Sequence, residues 1–372
     1  MIKVFSYSLL MIFGIGLSQA VDLTPISSPL KFITIVILAY IMIEVGLEFS
    51  LDKSNLKSYG KDYLIAMTAA TFPWILCSLY FWAFFDLELS KAAIIGRFAA
   101  PTSAGVLFTM LAAAGLASTW VFKKARILAI FDDLDTVILI VPLQMIHLGL
   151  DMRAFFLLVI IVLLLWAAYR FLHTLKVPTS RPWLMVYAIA LTIAVELFEK
   201  STFISVEIIL PAFVLGCILH NPHDQARSWV QRLQDRFKKS ENLWERRFDD
   251  SIKCGYMLLV GCSLPRISFG TTSIVFLTLN VLIITFLANL GKLFPMLCYK
   301  KEASPDERAA LSVAMWPRGE VGAGILLISM NYAMPPLVIE LAGLSLALNL
   351  ALTGVFITFV IWLLKKKPIG GL

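Results

Sequence analysis

Long apolar runs recur along almost the whole of this chain, and they constrain its fold more than any other feature. A helix of about 17–25 apolar residues spans the hydrocarbon core of a bilayer. The sequence has twelve such runs, at approximately 4–20, 30–50, 62–85, 92–116, 126–147, 154–172, 183–199, 203–219, 250–265, 271–299, 309–331 and 337–363. With 59% hydrophobic residues, above the roughly 45–50% of soluble domains, the chain is predicted to be an all-α polytopic membrane protein with about twelve transmembrane helices.

The basic residues alternate strongly between successive loops. If the N-terminus is cytoplasmic, 24 of the 32 lysines and arginines fall on the cytoplasmic side, five fall outside and three lie within spans. The positive-inside rule therefore predicts a multi-pass protein of the cell (inner) membrane with cytoplasmic N- and C-termini. The same distribution accounts for the net charge of +7 without a nucleic-acid partner.

The order of the runs suggests four sequential segments. Residues 1–29 hold either a retained first helix, which we favour, or a secretory signal cleaved after Ala20. Residues 30–220 form a first group of spans, and residues 221–249 are predicted to be a cytoplasmic amphipathic linker because basic and aromatic residues recur there at helical spacing. Residues 250–372 carry the last four spans.

Several kinds of site are not indicated. The five cysteines form no CxxC pair, so neither a disulfide framework nor a zinc site is predicted. His220 and His223 flank Asn-Pro in a polar loop, which favours a solvated loop over a metal site. The sequence holds no nucleotide-binding loop. We therefore predict that the protein is not an enzyme, has no cofactor and is driven by ion gradients.

Two adjacent aspartates, Asp132 and Asp133, lie inside the fifth run. A carboxylate at the centre of a bilayer costs roughly 2.5–3.5 kcal/mol even on insertion scales, and such residues persist mainly in a bundle interior, beside a counter-charge or in a watery cavity. The pair is therefore predicted to be a functional site. Polar contacts between helices are the alternative interpretation.

Two runs contain residues that interrupt helices. The fourth has Pro101, Thr102 and Ser103 in mid-span, beside the charged Arg97; the eleventh has Pro317, Arg318, Gly319 and Glu320. Proline removes a backbone donor and clashes with the preceding turn. Broken helices at matching positions of two halves are the best sequence indication of a transporter's ion site.

The depth of Lys292 supports a link between the two regions. Asp132 lies about six residues from the cytoplasmic end of its run, roughly 9 Å, and Lys292 about eight residues from the same side, roughly 12 Å. The two side chains are therefore expected at the same level, where an ammonium would offset a buried carboxylate. Snorkelling of Lys292 to the surface is the alternative.

These groups suit a competition between protons and a small cation. Na⁺ and similar hard ions prefer oxygen ligands, and a carboxylate can bind either a proton or such an ion. Two adjacent carboxylates repel when both are ionised, so their titrations are coupled. Competition combined with alternating access exchanges a cation for protons without covalent chemistry.

At these residues the chain resembles the monovalent cation:proton antiporters, in the branch of the bacterial sodium/proton antiporters. The similarity lies in Phe131-Asp132-Asp133, in Asn289-Leu-Gly291-Lys292 and in Pro317-Arg318-Gly319-Glu320-Val321-Gly322, with order and spacing that fit over about residues 30–360. The resemblance implies the sodium/proton antiporter fold, with inverted repeats, two crossed discontinuous helices and a homodimer. It also implies that Asp132 and Asp133 bind Na⁺ or a proton, with Lys292 beside them.

The chain departs from this family at the first break. Relatives often carry Thr-Asp-Pro or Thr-Ser-Pro there, whereas Ala100-Pro101-Thr102-Ser103 has no acidic group. Asp135 is an additional acid one turn beyond Asp132, and Arg97 an additional cation. These two could pair with each other, or Asp135 could ligate the ion. The departures bear on which cation is selected more than on the exchange mechanism.

Three other functions compete with antiport. An intramembrane aspartyl protease needs aspartates on two different spans and a Gly-x-Gly-Asp segment, neither of which occurs. A sodium-coupled symporter of organic solutes could share the broken helices. A non-transporting ion sensor could be built on the same scaffold. Flux in vesicles distinguishes a sensor from a transporter.

Overall fold

The computed structural model describes residues 2–48, 56–103, 107, 111, 116, 119–138, 152–202, 206–220, 243–264 and 273–365. Over these residues the chain is helical and contains no strand beyond an isolated bridge between Leu175 and Leu219. The α-helices are α1 Ile2–Ala20, α2 Ser27–Glu48, α3 Leu56–Phe85, α4 Leu89–Gly96, α5 Trp120–Ile138, α6 Met152–Arg170, α7 Arg181–Thr202, α8 Ile209–Ile218, α9 Leu243–Ser263, α10 Ile274–Gly291, α11 Phe294–Leu297, α12 Pro305–Ala314, α13 Glu320–Ser329 and α14 Pro336–Lys365.

Each of the twelve predicted runs contains helix, so the all-α prediction is confirmed. Five helical stretches are long and apolar enough to cross a membrane, judged by length and composition: Ser27–Leu47, Gly60–Phe85, Arg181–Thr202, Ile274–Leu297 and Pro336–Lys365. The other runs are shorter, interrupted, more polar or partly outside the described residues. The total of twelve spans therefore stays a prediction.

Both predicted helix breaks are present. In the fourth run, α4 is followed by a 3-10 turn over Arg97–Ala99 and then by non-helical backbone at 101–103. In the eleventh run, α12 and α13 are separated by non-helical residues 316–319. Proline at position 317 explains the second break, since it lacks a donor and disfavours helical geometry in the residue before it.

The chain forms two compact units. The first comprises Met1–Asp22, Asn55–Thr136 and Val260–Leu372, and the second Leu23–Ser54 and Val137–Leu259. In the first, a Cβ on Gly291 would lie 2.7 Å from Pro73 Cα, so α10 crosses α3 with its backbone in contact. In the second, Gly46 on α2 and Gly216 on α8 make an equally close backbone crossing. Small residues allow such approaches between membrane helices.

The predicted cytoplasmic linker at 221–249 lies mostly outside the described residues. Only its last part is described, from residue 243, where α9 begins. That helix therefore starts several residues earlier than the ninth predicted run. The amphipathic surface helix stays a prediction.

Candidate functional site

The site is built where the two interrupted runs meet. Ser103 donates its backbone N–H to Pro317 O at 2.8 Å, and the Thr102 hydroxyl reaches Met315 O at 3.1 Å. The hydrogen bond between Ser103 and Pro317 thereby gives one backbone group of each break a partner in the other break. Non-helical backbone is tolerated at membrane depth only where it is buried in protein or lines a watery cavity. This mutual pairing is the crossing of discontinuous helices that the resemblance implied.

Asp132 lies beside this crossing and is fully buried. Its Oδ2 atom accepts from Lys292 Nζ at 2.5 Å and from the Thr102 hydroxyl at 2.6 Å. Lys292, also fully buried, directly follows the last residue of α10. The shared level inferred from depth thus appears as an ion pair. Snorkelling is excluded, because the ammonium is not exposed.

Asp133 lies in the same region, and Lys292 is paired with Asp132 rather than with Asp133. Asp133 is 1% exposed, and its Oδ1 atom has no hydrogen-bond partner within the described part of the chain. Its charged neighbours are Asp132, Glu320 and Lys292. An unpartnered buried carboxylate oxygen is costly unless a proton or a cation neutralises it.

Two other aspartate oxygens share this property. Asp132 Oδ1 and Asp135 Oδ2 also have no hydrogen-bond partner among the described atoms. Across the described ranges, no three His, Cys, Asp or Glu side chains converge as a resident metal site. A cation bound here would therefore combine carboxylate oxygens with neighbouring hydroxyl or carbonyl oxygens.

Asp135 has a neighbour that the sequence did not indicate. The Tyr63 hydroxyl, carried by α3, lies next to its carboxylate. Arg97 is 1% exposed, within the 3-10 turn of the fourth run. The predicted pairing of Asp135 with Arg97, like ligation of the ion by Asp135, stays a prediction.

Arg318 holds the crossing together. Its guanidinium, 1% exposed, donates to Ala99 O at 2.9 Å, to Ala288 O at 2.7 Å and to Trp316 O at 2.9 Å. It also donates to Asn289 Oδ1 at 2.7 Å. A planar fork of five donors suits this task. The side chain thus donates to backbone carbonyls of three chain segments.

Glu320 has a hydrogen-bond partner in the other break. It is 5% exposed and accepts from the Ser103 hydroxyl at 2.9 Å. Its position as the first residue of α13 also favours a negative charge, because the helix dipole is positive there. The break of the fourth run is thus in contact with Glu320.

Sequence reasoning missed Asn349. Its amide nitrogen donates to Asn289 Oδ1 at 2.8 Å, and its oxygen accepts from the backbone N–H of Arg318 at 3.1 Å. An amide in the middle of a long apolar run was the available signal. Its partner could not be identified, because the contact joins residues 60 positions apart.

The chain is similar to known proteins in sequence profile and in fold. The profile of a family described as "Sodium/hydrogen exchanger, transmembrane" matches residues 1–365. A structure of the sodium proton antiporter MjNhaP1 from Methanocaldococcus jannaschii at pH 8 is similar, with a TM-score of 0.63 and 15% identity over 96% of this chain and 90% of that one. An electron-microscopy structure of MjNhaP1 has a TM-score of 0.57 and 15% identity over 97% and 92%. A search of curated proteins found no match.

Proposed function

The chain belongs to the sodium/hydrogen exchanger family and is a cation:proton antiporter, and we propose that the exchange takes place at Asp132, Asp133 and Lys292. The observation that carries this assignment is the fully buried Lys292–Asp132 pair with Asp133 directly beside it. Lys292 offsets only one of the two adjacent carboxylates. The other needs a proton or a cation whenever it is out of water.

The exchange follows from that shortage of positive charge. Protons and Na⁺ compete for Asp133. Because the two carboxylates are coupled, the strength of the Asp132–Lys292 ion pair changes with the proton or cation that Asp133 holds. Thr102 and Asp132 share a hydrogen bond, which ties the carboxylate to the helix break. If the site faces each side of the membrane in turn, a cation moves one way and protons move the other. No covalent step and no resident cofactor are required.

The finer assignments belong to the same proposal. The exchanged cation is Na⁺ or another monovalent cation, and the protein works as a homodimer in the cell membrane with cytoplasmic termini. The excess of basic residues in alternate loops supports this orientation. The dimer is what the resemblance to the monovalent cation:proton antiporters implies. Residues 30–220 and 250–372 supply the two groups of spans, joined by the linker at 221–249.

The test uses purified protein in liposomes loaded with a pH-sensitive dye and challenged with Na⁺, Li⁺ and K⁺ in turn. Asp133→Asn keeps the side-chain volume but removes the titrating charge, so cation-dependent proton flux should be abolished while the protein still folds. Asp86→Asn is the matched control, since Asp86 is exposed at a φ of 52° where asparagine is well tolerated. Wild-type exchange by Asp133→Asn would overturn the assignment.

A further inference from the structure

A second charged cluster lies in the first unit, on the side predicted to be cytoplasmic. Lys124 Nζ is 2.9 Å from both carboxylate oxygens of Asp62, and the Tyr299 hydroxyl donates to Asp62 Oδ1 at 2.6 Å. Glu302 accepts from Lys61 at 2.6 Å and lies 3.3 Å from Lys124. We call these five side chains, Lys61, Asp62, Lys124, Tyr299 and Glu302, the clasp.

The clasp is well satisfied electrostatically. Two ammonium groups face two carboxylates, and Lys61 and Lys124 both lie over the Tyr299 ring, at 4.7 and 4.8 Å from its centre, where a cation is attracted to the ring. Burial and the neighbouring Asp62 carboxylate raise the pKa of the Tyr299 hydroxyl, so it remains a donor. The hydrogen bond from Lys61 lowers the pKa of Glu302, which keeps that carboxylate ionised at neutral pH.

The three elements joined by the clasp are the ones that position the ion pair. Lys124 lies on α5, eight residues before Asp132, or about 12 Å along the helix axis. Tyr299 and Glu302 follow Lys292 after the short helix α11. Asp62 belongs to α3. The clasp thus fastens the Asp132 helix to the segment that continues from Lys292.

Helix α3 contacts both partners of the ion pair at their immediate neighbours. Tyr63, which follows Asp62, packs edge-on against Phe131 with ring centres 5.4 Å apart, directly before Asp132. Pro73 abuts Gly291, directly before Lys292. A displacement of α5 at the clasp would therefore also move Asp132, because both lie on one helix. Lys292 would not move with it to the same extent, because Gly291 is packed against α3.

We propose that the clasp sets the position of Asp132 relative to Lys292, which makes Asp62, Lys124 and Tyr299 positioning residues for the exchange. This inference rests on the proposed function. The energy of a buried ion pair depends steeply on its separation, because the local dielectric constant is low. Loss of the clasp should therefore change both the affinity for the cation and the pH at which protons leave the site.

The experiment measures the apparent KM for Na⁺ and the pH of half-maximal exchange in proteoliposomes, together with the melting temperature in detergent. The variants are Lys124→Met, Asp62→Asn, their combination and Tyr299→Phe. Lys123→Met is the control, because Lys123 is the adjacent lysine on α5 and is exposed.

Lys124→Met and Asp62→Asn should each shift the half-maximal pH by about 0.5 unit and the KM by about threefold, the affinity change that corresponds to half a pKa unit. The double variant should shift little further, since both changes break one contact. Lys123→Met should match wild type. If Lys124→Met fails to assemble, Tyr299→Phe, which keeps the ring and loses one hydrogen bond, should give a smaller shift in the same direction.

Variants that melt at lower temperature but keep the wild-type KM and pH profile would show that the clasp stabilises the fold without positioning Asp132. That result would overturn the proposal. An unchanged profile in Tyr299→Phe, if it is the only variant that assembles, would do the same. Absence of exchange by wild-type protein is a different result. It would overturn the proposed function and the clasp together.

Discussion

At the level of single residues, the burial of Lys292 determines how the site can fail. Its ammonium has no exposure, and the only carboxylate paired with it in the described residues is that of Asp132. Such a pair adds little net stability while intact, because desolvating both charges offsets their attraction. Breaking it is costly, because a buried charge is left without compensation.

Lys292→Ala should therefore destabilise the protein by about 3–5 kcal/mol and shift the pH dependence of exchange. The melting temperature in detergent and the pH profile in proteoliposomes are the two measurements. Lys200→Ala is the control, since the Lys200 side chain is 77% exposed and should leave both unchanged. A melting curve and pH profile identical to wild type in Lys292→Ala would contradict an essential pair.

The pairing of Lys292 with Asp132 was within reach of the sequence, because two opposite charges at one depth of a bilayer have few alternatives. The neighbours of Asp135 and Asn349 could not be predicted from the sequence. Tyr63 is one of many polar residues that could face Asp135, and Asn289 is one of many that could face Asn349. Only the packing of the helices decides which of these residues does so.

At the level of elements, the crossing of α10 and α3 depends on Gly291. A Cβ at this position would meet the backbone nitrogen and Cα of Pro73, and neither atom can move aside as a flexible side chain would. The close contact lies one residue before Lys292. Helix packing and the position of the ammonium are therefore linked.

Gly291→Ala should cost about 1–3 kcal/mol through overpacking and should reduce exchange as well, since Lys292 is displaced with the helix. Gly255→Ala is the matched control: Gly255 lies within α9, and a Cβ there meets nothing within 4 Å. Replacing a helical glycine by alanine in open space should stabilise by up to about 1 kcal/mol. Thermal unfolding of both variants checks the pair, and equal melting temperatures would contradict the crossing.

Helix breaks were predictable because proline and glycine act locally. Pro317 ends a helix whatever surrounds it, so the interruption at 316–319 could be placed from the sequence. The partners of the exposed backbone could not. Ser103 and Pro317 are more than 200 positions apart, and nothing local specifies that they form a hydrogen bond.

At the level of the whole molecule, the two compact units interleave along the chain. The first unit takes its residues from three separate stretches and the second from two. Runs of hydropathy show where helices lie but carry no information about which of them pack together. The positions of the helices could therefore be predicted from the sequence, whereas membership of the units could not; the orientation of the spans stays a prediction.

The orientation can be tested with fusions. Green fluorescent protein attached to the C-terminus should fluoresce, and alkaline phosphatase attached there should be inactive, because it needs the disulfides of an oxidising compartment. Alkaline phosphatase attached after Gly270, in a loop predicted to lie outside, should be active. The opposite pattern at both positions would reverse the predicted topology.

The Thr102 hydroxyl has one proton and two acceptors, Asp132 Oδ2 at 2.6 Å and Met315 O at 3.1 Å. It can satisfy only one of them fully at any moment. The hydrogen bond to the backbone carbonyl of Met315, just beyond α12, should therefore strengthen when Asp132 loses its negative charge. The charge on α5 and the backbone at the end of α12 are coupled through one hydroxyl, without a movement of either helix.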